Sequence, residues 1–249
     1  MEKIVEICCG SYEDAWNAFQ AGAKRIELNS ALHLGGLTPS LATLILTKQN
    51  TNLKVITMIR PRGAGFCYTE KEFEIMKADA EIMMKNHADG IAFGCLDKDG
   101  YIHISQTKQM IDIVKKYGGE VVFHRAFDCV KDPFQSIEQL IQLGVDRVLT
   151  SGLEDKAIQG KDVIKRLQEK YGKEIEILAG SGINASNAQD ILDYTGIKQV
   201  HSSCKDWVQD PTTVCHHVSY SYASKPHESD YDIVSKILVQ QILNALKKK

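Results

Sequence analysis

The segment Glu120-Val121-Val122-Phe123-His124-Arg125-Ala126-Phe127-Asp128 sets a short apolar run directly before a histidine, an arginine and a carboxylate. β-Branched and aromatic residues favour a buried strand, so the pattern predicts a strand over Glu120–His124 that gives way to a loop. The same succession recurs along the chain: an apolar run, then charged or glycine-rich residues, then a helical period. Strands are expected at Ile4–Cys8, Arg25–Asn29, Lys54–Arg60, Gly90–Gly94, Glu120–His124, Asp146–Thr150, Glu174–Ala179 and Gln199–Ser203.

Helices are expected between them. Ser11 caps the first, which Gly22 ends; Pro39 opens the second, running to about Thr47. Further helices cover Glu70–Lys85, Gln106–Tyr117, Pro133–Leu143 behind Asp132, Lys161–Tyr171, and a stretch from the cap Asn184 to Tyr194. The last runs from Tyr231 to Lys248. Strand–helix units repeating every ~21 to 35 residues, eight in all, fit a closed (β/α)8 barrel, a TIM barrel in a single α/β domain over residues 1–249. The βα core would span about residues 4–204, followed by a polar segment, 205–230, and the C-terminal helix. A doubly wound open sheet would want a Gly-x-Gly-x-x-Gly turn after the first strand, and Cys9-Gly10-Ser11 does not supply one.

Composition narrows the function. A net charge of −2 argues against a nucleic-acid partner. No apolar run approaches the ~20 residues of a membrane span, and the apolar piece at Ile4–Cys9 is too short for a signal-peptide core. The expected location is cytoplasmic. Seven cysteines without Cys-x-x-Cys or zinc-finger spacing read as free thiols.

Active sites of such barrels sit at the C-terminal strand ends. Those ends carry Glu6 and Cys8, Glu27 and Asn29, Arg60 and Arg62, Gly94, His124 to Asp128, Thr150-Ser151-Gly152, Gly180-Ser181-Gly182 and His201-Ser202-Ser203, whereas the opposite ends are mostly Lys, Glu and Gly. Side chains alternate along a strand. Val5 and Ile7 should therefore face the helices, and Glu6, Cys8, Glu27 and Asn29 the barrel axis. Two carboxylates on strands ~4.8 Å apart need a cation between them, and Arg60 is the nearest candidate. Glu6 and Glu27 are either a buried ion network that holds the barrel or an acid/base or metal-ligand pair. His124 is either a satisfied core histidine or a general acid/base, with Glu6, Glu27 or Asp128 as its carboxylate partner. Arg60, Arg62 and Arg125 would position a small anionic or phosphorylated metabolite. The Gly180, Ser181 and Gly182 turn and the strand end Ser202-Ser203 could form an anion site, since glycines and a helix N-terminus present free N–H groups.

Several strings resemble the CutC copper-homeostasis family: Glu6-Ile7-Cys8, Arg25-Ile26-Glu27-Leu28, Gly35-Gly36-Leu37-Thr38-Pro39-Ser40, Met58-Ile59-Arg60-Pro61-Arg62-Gly63, Phe123–Asp128 and Arg147-Val148-Leu149-Thr150-Ser151-Gly152. The resemblance runs from about residue 4 to 204. It implies a TIM barrel, a cytoplasmic location and a role in copper handling. In the family the copper proposal rests on two mouth cysteines; Cys8 stands at the first position and Asn29 at the second. Soft thiolates suit Cu(I), so Cys8 is the expected copper ligand, with weaker partners. Cys215-His216-His217 is a second soft-ligand cluster or an exposed loop. The rival reading is an enzyme of undetermined chemistry working through Glu6, Glu27, Arg60, His124 and Asp128. A homo-oligomer is compatible with either, because the aromatic residues of the polar segment (Trp207, Tyr220, Tyr222) could pack over a cavity or against a second subunit.

Overall fold

The computed structural model describes residues 3–247. Eight parallel strands pair in chain order and the last returns to the first, closing a barrel. They are β1 (Ile4–Cys9), β2 (Arg25–Leu28), β3 (Lys54–Met58), β4 (Gly90–Phe93), β5 (Glu120–Phe123), β6 (Arg147–Thr150), β7 (Glu176–Ala179) and β8 (Gln199–Ser202). Around them stand α1 (Tyr12–Gln20), α2 (Leu41–Asn50), α3 (Glu70–Lys85), α4 (Ile104–Lys116), α5 (Pro133–Leu143), α6 (Lys161–Tyr171), α7 (Ala188–Thr195) and α8 (Lys236–Lys247).

Helix starts follow local chemistry. Ser11 accepts the Asp14 N–H at α1, Thr69 and Glu72 form a reciprocal capping box at α3, and Asp132 accepts from Phe134 and Gln135 at α5. Three starts differ from the sequence expectation. α2 begins after Ser40, whose hydroxyl accepts the Thr43 N–H, and Pro39 lies outside it. α4 begins at Ile104 because the His103 ring caps it, accepting the Gln106 N–H. Asn184 caps only a turn, with its side chain held by Ser186, and α7 proper starts at Ala188.

The largest difference lies near the C-terminus. The segment Asp230–Val234 is a strand, β12, antiparallel to β9 (Lys205–Gln209), with a small hairpin of β10 (Val214–Cys215) and β11 (Val218–Ser219) between them. Tyr231 therefore belongs to a sheet that extends from the barrel mouth, and α8 starts at Lys236; Lys248 lies outside the described residues. The alternation Asp-Tyr-Asp-Ile-Val has the strand period of two, which the longer helical reading absorbed.

The core has two compartments. Val5, Ile7, Ile26 and Leu28 face outward into the layer between barrel and helices, as alternation requires. Inside the barrel, Ile56, Met58, Ala92, Val122, Leu149 and Leu178 form a separate apolar cluster contributed by β3 to β7 only. On β1, β2 and β8 the interior residues are instead Glu6, Arg25, Glu27, Gln199 and His201, all buried. One half of the barrel lumen is thus polar, and burial of charge is tolerable only where partners meet. At the bottom they do: Arg147 pairs with Glu120 at 3.1 Å and Glu176 at 2.8 Å, and Lys54 also reaches Glu120.

Candidate functional site

The polar half of the lumen opens into a cavity of about 520 Å³ at the C-terminal mouth, walled by β-strand ends and covered by residues of the β9–β12 region, among them Trp207, Tyr222 and Asp232. Tyr222 stacks on His33 with ring centroids 4.7 Å apart, and its hydroxyl bonds the Asp232 carboxylate.

Barrel stagger decides which side chains meet. Cys8 is in register with Glu27, whereas Glu6 is in register with Arg25 on one side and His201 on the other. The two carboxylates therefore do not share a level. Glu6 sits deeper, 2.7 Å from the Arg25 Nε and 2.9 Å from the His201 Nδ1. Burial alone would raise its carboxyl, but Arg25 and the His201 hydrogen bond outweigh burial and hold it at about 2. The cation expected from Arg60 is thus supplied by Arg25, on the neighbouring strand.

Above this pair the Cys8 sulfur, a Glu27 carboxylate oxygen and a His201 ring nitrogen all lie within 4.8 Å of one another. Asn29 tethers the group, its amide donating to Glu27 Oε2 at 3.0 Å and approaching Cys8 Sγ at 3.7 Å. Glu27 Oε1 is buried with no partner. Burial raises both the Cys8 thiol and the Glu27 carboxyl. For His201, burial opposes the charged ring, but hydrogen bonds to Cys8 and Glu6 and the charge of Glu27 raise it well above the ordinary value. A neutral thiol beside an imidazolium is a proton-holding arrangement; a cation entering the trio would displace those protons. With Nδ1 engaged by Glu6, Nε2 is the ring nitrogen left for a ligand, the arrangement of a carboxylate–histidine–metal relay.

Across the cavity stand Arg60 and His124. The Arg60 guanidinium donates to the backbone carbonyls of Leu34 (2.9 Å), Gly36 (3.1 Å) and Ala64 (2.5 Å), and it lies over the Phe66 ring. His124 is 3% exposed, and its Nδ1 accepts the Ala126 N–H at 3.1 Å. The backbone just past β4 lies so close that a Cβ at Gly94 would sit 2.5 Å from the Ala126 Cβ and 2.7 Å from the His124 ring, which is why glycine stands there. Burial, reinforced by Arg60, pushes the ring down to about 3, so it is neutral at any ordinary pH.

The other expected residues divide. Arg125, Ser181, Gly182, Ser202 and Ser203 line the cavity. Ser202 donates its hydroxyl to the Ile183 carbonyl and Ser181 to the Asp155 carbonyl, so neither hydroxyl is free. Gly180 is buried behind them against Leu149. Arg62 turns away to α3, where it pairs with Glu72 at 2.5 Å and bonds three loop carbonyls. Asp128 does not meet His124 in a hydrogen bond. It pairs with Arg125 at 2.7 Å and accepts from Thr150 Oγ1, the N–H and hydroxyl of Ser151, and the Leu153 N–H, which makes it the organiser of the loop after β6.

At the level of sequence His201 stood at the barrel mouth without a role, and Arg25 only within a family-like string. His201 was legible as an inward position two residues past Gln199, on the strand adjoining β1. Arg25 stood at what read as a solvated strand start.

Barrel, cavity and trio together define a single-domain (β/α)8 protein with a Cys–Glu–His group at its C-terminal mouth that could hold a metal ion. The chain belongs to the CutC family, whose model matches residues 3–206. It is 43% identical over 243 residues to a family protein CutC of Treponema denticola, covering 97% of this chain and 98% of that one. It is 39% identical over 246 residues to the copper homeostasis protein cutC homolog of Homo sapiens, covering 98% and 89%. The crystal structure of a CutC protein from Streptococcus agalactiae superposes with a TM-score of 0.76 at 33% identity, covering 81% of this chain and 98% of that one.

Proposed function

We propose that this protein takes part in copper homeostasis in the cytoplasm by holding a copper ion at the barrel mouth between Cys8, His201 and Glu27. The observation that carries the reading is the approach of those three ligand atoms to within 4.8 Å of one another. Their chemistry supports it. A thiolate and an imidazole suit Cu(I), and the carboxylate adds a weaker third donor whose Oε1 has no protein partner. Asn29 replaces the second thiolate expected from the family resemblance, and its amide supports Glu27 and Cys8 as a tether. His201 takes over as the second strong donor. Glu6 orients it from below, and Arg25 keeps Glu6 ionised.

The test is competitive Cu(I) titration against a chelator of known affinity. The wild-type chain should bind one copper, and Cys8→Ser or His201→Ala should each weaken it by about 100-fold or more, since each removes one of few ligands. Equal affinity in the wild type and both variants would reject the site.

A further inference from the structure

A cavity of about 520 Å³ is far larger than a metal ion needs and falls in the range of small-molecule sites. Its wall opposite the copper ligands holds two buried N–H groups without acceptors. Arg60 is 5% exposed and His124 3%. The Arg60 guanidinium spends its terminal nitrogens on neutral carbonyls, its Nε has no partner, and among the described residues no carboxylate pairs with it. Buried cations are ordinarily paired, because the desolvation cost is otherwise uncompensated. At His124, Nδ1 is occupied as an acceptor, so the single proton of the neutral ring must sit on Nε2. That Nε2 is likewise buried and unpartnered.

We infer that Arg60 and His124 form the receiving corner for the oxyanion, carboxylate or phosphate, of a small organic ligand that occupies the mouth cavity. The missing counter-ion of Arg60 is the ligand's charge. His124 serves as a neutral donor with a fixed tautomer, which separates its role from a proton shuttle. Phe66, 5.1 Å from the His124 ring and 5.0 Å from the Arg60 guanidinium carbon, packs against both groups. Lys205 lines the same cavity and adds positive charge at its rim, whereas Arg125, also in the lining, is already paired with Asp128. The inference does not depend on copper: the corner and the trio are separate sets of side chains.

The test uses metal-free protein and nitrogen-15 NMR of the His124 imidazole and the Arg60 Nε–H. Inorganic phosphate and succinate are titrated in parallel, so that the stronger response identifies the class of oxyanion. Before addition, the His124 spectrum should show the Nε2–H tautomer. Either probe should then shift both resonances in a saturable manner, and His124→Phe, which keeps a ring but removes the donor, should weaken binding by about tenfold, the value of a hydrogen bond to a charged group. The opposite tautomer, resonances unmoved by both anions, or unchanged affinity in His124→Phe would each overturn the assignment. Because the measurement is made on wild-type protein, it stands even where an Arg60 variant fails to fold.

Discussion

Replacing His124 by Asn should flatten the acid limb of the stability profile. In the folded chain this ring titrates near 3, against an ordinary value of 6.5, because burial and then Arg60 disfavour its charged form. The unfolded chain therefore takes up a proton at this side chain as pH falls below about 6.5, while the folded chain does not until about 3. Stability is lost with falling pH across that window. From about pH 7 to about pH 4.5 the difference amounts to roughly two pH units of uptake at about 1.4 kcal/mol each, or about 2.5 kcal/mol from this one residue. Asparagine offers an oxygen to the Ala126 N–H in place of Nδ1 and does not titrate. His124→Asn should be less stable at neutral pH through lost packing, but urea midpoints measured across the range should fall less steeply than in the wild type by that ~2.5 kcal/mol. Carboxylates and the other histidines contribute equally to both proteins and cancel in the comparison. Parallel profiles would refute the claim that His124 is held neutral.

Three further substitutions follow from the geometry. Asp128→Asn should cost about 3 kcal/mol, because a charged acceptor of several bonds becomes a neutral amide; the melting temperature should drop by about 6–12 °C with copper affinity intact, and a loss of affinity without a loss of stability would contradict its structural assignment. Arg147→Leu leaves Glu120 and Glu176 without their shared cation. Both carboxylates keep contact with water, so the cost should lie at the low end for broken ion pairs, about 3 kcal/mol by urea unfolding, and a neutral effect would show the network to be dispensable. Glu6→Gln removes the anion that orients His201 and should lower copper affinity by about 10- to 100-fold in a competition assay, whereas undiminished affinity would sever Glu6 from the site.

The barrel was readable because the strands' outward faces are apolar and several helices have a local start signal. Val5, Ile7, Ile26 and Leu28 obey alternation, and Ser11 and Asp132 cap where their side chains predict, whereas α6 and α7 start without a side-chain cap. Part of the mouth was readable for the same reason: Cys8, Glu27, Arg60 and His124 line one cavity, whereas Glu6, Arg62, Gly180 and Asp128 do not. What alternation could not supply was height. The stagger of a closed barrel sets Cys8 beside Glu27 and drops Glu6 to the level of Arg25 and His201, a relation fixed by closure and not by any one strand. Arg60 and Arg62 illustrate a second limit. They stand two residues apart in one loop, yet one faces the cavity and the other an acidic residue of α3, a choice made by tertiary contacts absent from the local pattern. The sheet over the mouth was missed because Tyr231 and Ile233 also fit the apolar period of the helix that follows.

The central claim is best tested by a crystal of the copper-loaded chain measured at the copper absorption edge. One anomalous peak is expected within bonding distance of the Cys8 sulfur and the His201 ring, with Glu27 adjacent. A peak at Cys215-His216-His217 instead, or none in the barrel mouth, would contradict it.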